Sequence, residues 1–148
     1  MSNSMIIKET VAFNSDAKTV WDLVINPEMT KQYMFGCEVL SDWQIGSSII
    51  WKGKTEDGKE VIYVKGSIIE FEEGKKTTFS MFDPNMGIPD IPTNYVNLTY
   101  EVIPKENGCD LVITQGDFQD ADNAEKRYEE SKQGWQMVIP TMKKLLNE

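Results

Sequence analysis

The stretch ADNAEKRYEESKQGWQMVIPTMKKLLNE, residues 121–148, reads as one long amphipathic helix closing a chain otherwise rich in strands. Tyr128, Trp135, Val138, Met142 and Leu145 recur at helical spacings, flanked by Met137, Ile139 and Leu146, so one face must rest on apolar material. Most of what precedes is strand-like, which predicts a curved sheet beneath that face. A helix laid across a concave sheet encloses either a solid core or a ligand pocket, and the sequence leaves both readings open. Pro140 lies inside the pattern, where it removes a backbone donor and crowds the carbonyl four residues earlier. Because the periodicity continues past it, a kinked helix is expected, with two separate helices as the alternative.

Working outward, Met5 to Phe13 sets Ile7, Glu9, Val11 and Phe13 against Lys8, Thr10 and Ala12, the alternation of a strand. Asn14 or Ser15 can cap a short helix over Asp16 to Val24, with Asp16 favourably placed in the first turn. Asn26-Pro27 opens a second short helix over Pro27 to Tyr33. Strands are predicted over Cys37 to Leu40, Ser48 to Gly53, Glu60 to Phe71, Thr77 to Phe82, Tyr95 to Ile103 and Asp110 to Thr114. Between them stand Gly46, Asp57-Gly58, Glu73-Gly74 and Asn107-Gly108, which carry turn chemistry. Asp83 to Thr93, with three prolines, is predicted to be a loop, either a stiff connector whose apolar residues cover the barrel end or a gate or partner contact. No repeat, low-complexity tract or linker interrupts the pattern, so residues 1–148 are read as one α+β domain.

Composition narrows the classes. At 148 residues the chain can bury roughly two-thirds of its unfolded surface, and 40% apolar residues argue for a folded globule. A formal charge of -9 works against a nucleic-acid backbone partner, and the pairs Lys75-Lys76 and Lys143-Lys144 are too short to reverse it. No stretch approaches the roughly 20 apolar residues of a membrane span, and no leader pattern opens the chain, so a cytoplasmic location is the expectation. Cys37 and Cys109, far apart and without a CxxC, are expected to be free.

The order of elements, with several local motifs, resembles the helix-grip fold of the START/SRPBCC superfamily. Within it the chain is similar to the branch named for homology to the activator of the heat-shock-chaperone ATPase. The segments carrying the resemblance are Ile7 to Phe13 with Ala17 to Trp21, Asn26-Pro27-Glu28 with Tyr33, Trp43 with Gly46, Gly66 to Glu70, Gly108 to Phe118, and Gly134-Trp135 followed by Met142 and Leu145. The resemblance implies a curved antiparallel sheet of about seven strands, with two short helices, wrapped around the long C-terminal helix. It implies no single activity, because the superfamily holds lipid carriers, cyclases and hormone receptors. Gln115 stands where many relatives have His, and Asp117 replaces a glycine, so a proton-transfer role for that histidine does not carry over.

The inventory of chemical groups is mostly negative. The chain has no histidine, which excludes Ser-His-Asp and Cys-His arrangements and the commonest neutral-pH general base. Its glycines are dispersed, so neither the dinucleotide fingerprint nor the phosphate loop is present. Asp117, Asp120 and Asp122 cluster at a strand-to-helix junction, where solvated acids and helix caps are expected; Asp122 and Glu125 have capping-box spacing. No metal or other cofactor is assigned.

What remains is a pocket. Its candidate lining is Trp51, Tyr63, Phe79, Met81, Tyr100, Gln115, Tyr128, Trp135 and Met142, with Tyr95 and Met137 in the wider aromatic and sulfur-rich set. Tyr hydroxyls, the Trp51 indole and the Gln115 amide are the groups that would orient an apolar guest. These aromatics and methionines equally suit a filled core. Three functions follow: binding of a small hydrophobic or amphipathic molecule, a polyketide-cyclase-like enzyme using Tyr63 or Tyr100 as donor, or a chaperone-activator-like protein with an unknown protein partner.

Overall fold

The computed structural model describes residues 4–148; the first three residues, on which the reading of the extreme N-terminus partly rests, lie outside that range. Seven strands form one antiparallel sheet in the order β1-β7-β6-β5-β4-β3-β2. Strand β1 (Ile7–Phe13) buries Ile7, Val11 and Phe13 and pairs with the other end of the chain, from Ile7 opposite Gln115 to Phe13 opposite Cys109. Two short helices follow. In α1 (Ala17–Ile25) the capping residue is Asp16, whose carboxylate accepts from the Thr19 amide at 2.8 Å. The expected caps Asn14 and Ser15 lie before that cap, and their backbone amides donate instead to the Glu148 carboxylate at 2.6 and 3.1 Å. Helix α2 (Pro27–Tyr33) starts where Asn26-Pro27 directs it: the Asn26 side chain accepts from the Glu28 amide at 2.9 Å, and Pro27 occupies the first turn, where no donor is missed.

The chain then traverses β2 (Glu38–Ser41), β3 (Ser48–Lys54), β4 (Glu60–Glu72) and β5 (Lys76–Met81). Strand β4 is irregular twice. Its pairing with β3 shifts after Trp51, so that Val64 lies opposite Trp51 and Ile62 opposite Lys52, leaving Tyr63 as the extra residue. A second shift, between Ile68 and Glu70, occurs against β5. Such bulges bend the strand and tighten its twist, which curls the sheet. Gly66 lies between them: a Cβ there would stand 1.7 Å from the Ser80 carbonyl oxygen, so the two strands approach more closely than a side chain permits.

A short 3₁₀ turn (Pro92–Asn94) ends the proline-containing loop and leads into β6 (Val96–Lys105) and β7 (Gly108–Gly116), a longer final hairpin than the sequence indicated. Helix α3 (Ala124–Leu145) closes the fold. It begins three residues later than expected, and Asp122 is not its cap. Asp122 instead exchanges two hydrogen bonds with Asn94, at 2.8 and 3.1 Å, and Asn123 takes a left-handed φ of 55° without a side-chain cap. The helix continues through Pro140 as one element, and Thr141 returns its hydroxyl to the Met137 carbonyl at 3.2 Å. Trp135, Val138 and Met142 are buried against the sheet, whereas Met137 points to solvent at 63% exposure. Val20, Leu23 and Val24 of α1 join Leu98, Leu111 and Ile113 of the sheet in the core, and Cys37 and Cys109 are both buried and free.

Candidate ligand-binding cavity

The helix does not fill the concavity. A cavity of about 260 Å³ lies between α3 and the sheet, with Leu98, Phe118, Trp135 and Val138 among its apolar walls. A second, of about 340 Å³, is bounded by Cys37, Trp51 and Tyr63. Met34, Phe35, Val64 and Met81 line both, so the chambers are neighbours across a largely thioether and aromatic partition. Unbranched thioethers adopt many shapes at small cost, which makes such a partition adaptable. Phe35, at a left-handed φ of 53° and 65% exposed, stands at the rim of each.

Of the nine residues the sequence nominated, Trp51, Tyr63, Met81, Gln115 and Trp135 face these cavities. Phe79, Tyr100, Tyr128 and Met142 line neither. Phe79 lies between Trp51 and Tyr100, with ring centroids 6.5 and 6.1 Å away, and Tyr100 meets Trp135 edge-on at 6.3 Å. Tyr128 packs on Phe118, and Met142 is fully buried further along α3. Phe79, Tyr100 and Tyr128 thus back wall residues, and Met142 belongs to the core. Burial pushes the Tyr100 phenol far above its ordinary range, and its hydroxyl has no partner among the described residues. Tyr95 and Met137 stand apart: Tyr95 stacks on Phe82 and donates to Asp90, while Met137 faces outward.

Local geometry fixes the polar groups. The Trp135 indole donates to the Gln115 amide oxygen at 2.8 Å. An indole N–H can only donate, so it determines which end of the amide faces it. The Gln115 nitrogen is thereby turned toward the thioether of Met81, 3.9 Å away and a weak acceptor. Tyr63 is held over Gly53: a Cβ at that glycine would lie 3.0 Å from the ring.

Sequence reasoning missed Arg127, which lines the cavity under α3 and is only 7% exposed. One guanidinium nitrogen donates to the Asn94 carbonyl at 2.9 Å. Burial lowers its pKa, against the opposing influence of Asp83 and Asp122. Two signals were available. Arg127 is the chain's one arginine, and it lies eight residues before Trp135 on the buried stripe of α3. Asn94 was missed as well: fully buried, it holds Pro89, Asp122 and Arg127 together and so ties the loop to the helix. The loop is further fixed by Lys65 on Asp90 at 2.5 Å and by Asn85 on the Ile62 carbonyl at 2.9 Å. Asp83 and Met86 are its contributions to the cavity wall. Asp117 accepts from the amides of Met5 and Gln119, at 3.0 and 2.8 Å.

A curved antiparallel sheet gripping a long C-terminal helix over a cavity defines the helix-grip class of the START/SRPBCC superfamily. The family described as "Activator of Hsp90 ATPase homolog 1-like protein" matches residues 14–147, and the chain belongs to it. The solution structure of ChR145 from Cytophaga hutchinsonii is similar at 35% identity and a TM-score of 0.78, covering 99% of this chain and 97% of that one. MLL2253 from Mesorhizobium loti shares the fold at 13% identity, TM-score 0.74, with 96% of each chain covered. So does PFC0360w, an HSP90 activator from Plasmodium falciparum, at 16% identity and TM-score 0.70, over 97% of this chain and 96% of that one. No curated protein matches the chain. No helix among the described residues is long and apolar enough to cross a membrane.

Proposed function

We propose that the protein binds a small hydrophobic or amphipathic molecule in the cavity beneath α3. The observation carrying this reading is the chamber of about 260 Å³ itself, walled by Leu98, Phe118, Trp135 and Val138 with a few inward polar groups. That combination is the usual make-up of a small-molecule site. Apolar burial supplies the affinity, at about 25 cal/mol per Å² less the costs of ordering the guest and its walls.

The binding reading is favoured over a cyclase-like enzyme by the ionisable groups on the walls. Among the described residues the buried charged group there is Arg127, and a guanidinium does not give up its proton. Of the two alternative donors, Tyr100 faces neither cavity and Tyr63 faces the second chamber, away from Arg127. The activator reading draws on the family description and on the Plasmodium falciparum structure, whose low identity carries the fold alone. The reading extends to a cytoplasmic location, a reducing compartment in which two free thiols are the ordinary state.

The test is native mass spectrometry of protein purified from cells, paired with thermal shift against a library of lipids and aromatic compounds. A bound apolar mass, or stabilisation by one compound class, is expected. Protein that is consistently empty and indifferent to every such compound would overturn the reading.

A further inference from the structure

Arg127 is an expensive residue to place where it is. A guanidinium carries five N–H donors and a permanent charge, and removing it from water is costly unless those donors and the charge are matched. Here it is 7% exposed on the wall of an apolar chamber. Its one protein hydrogen bond goes to the Asn94 carbonyl. No carboxylate among the described residues lies within ion-pair distance of it. The same chamber holds a second buried donor, the Gln115 amide nitrogen, whose protein neighbour is the Met81 thioether at 3.9 Å. Two inner walls thus present donors without matching acceptors.

The acceptors on this chamber are arranged differently. Glu130 is exposed and Asp83 half-exposed, so water screens both. Asp122, which also acts on Arg127 through space, is exposed and occupied by Asn94. Charge counts for more where water is excluded, so the buried cation outweighs the wetted carboxylates around it.

We propose that the ligand of this cavity is an amphipathic monocarboxylate, its carboxylate held by Arg127 and its apolar body lying along Met81, Leu98, Trp135 and Val138. This rests on the binding function proposed above and adds the chemical class. The planar fork of a guanidinium matches the two carboxylate oxygens, which a lysine cannot do, and the chain uses lysine at its other basic positions. The Gln115 amide is the second donor available to the head group. Longer chains pass the Met34 and Met81 partition into the neighbouring chamber beside Trp51.

The experiment compares decanoate with its uncharged isostere decanamide by calorimetry and Trp135-sensitive fluorescence, on the wild-type protein and on R127Q and R127K. Decanoate is expected to bind the wild type at least tenfold more tightly than decanamide. In R127Q decanoate affinity should fall at least tenfold and the preference should vanish. R127K, which keeps the charge without the fork, should retain part of the preference. Equal binding of the two compounds by wild-type protein, or a preference that survives in R127Q, would overturn the carboxylate assignment and leave the binding function standing. Failure of both compounds to bind would count against both. The wild-type comparison needs no variant to fold.

Discussion

Arg127 and Gln115 show what a single residue can reveal and conceal. Gln115 was legible as a polar group of the candidate pocket, though the predicted strand stopped at Thr114, and its orientation comes from Trp135, twenty residues along the chain. Trp135→Phe removes that donor together with part of the buried indole. It should cost about 2 kcal/mol and free the Gln115 amide to turn, read by urea denaturation and by the side-chain amide resonances; unchanged resonances would deny the bond. Arg127 escaped notice because a charged residue on an amphipathic helix is normally solvated, and only the loop folded over it makes the position an interior one. Gly66 belongs to the same scale. With the Ser80 carbonyl oxygen 1.7 Å from where a Cβ would stand, Gly66→Ala must separate two paired strands. A loss of about 3 kcal/mol is expected, and a denaturation midpoint close to wild type would contradict the close approach.

Among the elements, those set by chemistry within a few residues were readable. Helix α2 has the bounds that Asn26-Pro27 implies, since cap and first turn lie side by side. The start of α3 was not readable, because Asp122 is drawn off by Asn94, 28 residues earlier in the chain. The bulges of β4 were hidden for a similar reason: pairing with β3 and β5 decides which residue is extra, and strict alternation along the strand fails at Tyr63. Pro140 lies on an exposed part of α3, which remains one helix. Pro140→Ala restores a backbone donor and a better helix former, so thermal stability should rise by about 1–3 kcal/mol; a fall in Tm would mean that the proline shapes the helix to the sheet. The loop carrying Met86 has a pH signature. The hydrogen bond from Lys65, and then that from Tyr95, hold the Asp90 carboxyl below its ordinary 3.8. A depressed folded pKa stabilises above the unfolded value and loses that contribution as pH falls through the folded one. Protection factors in residues 83–93, which correct hydrogen exchange for the intrinsic pH dependence of the amide rate, should therefore fall below about pH 4, with little change between pH 5 and 8.

For the whole molecule, ligand and stability are linked. A guest that binds only the folded state at about 100 times its Kd adds about 2.7 kcal/mol, so decanoate should raise Tm in a concentration-dependent way, and R127Q should blunt that rise. The absence of such a dependence at saturating decanoate would show that the folded protein does not take this carboxylate. The architecture itself was largely legible: the period of the closing helix, the turn chemistry between strands and the order of the elements already implied a curved sheet beneath an amphipathic helix. Those are repeating local signals, carried by neighbours in the chain. Whether the space under the helix was filled or open could not be read this way, because volume is set by how residues as distant as Met34, Met81, Arg127 and Trp135 pack together. Periodicity says which side chains face inward; only their packing in three dimensions determines how much room they leave and which polar groups border it.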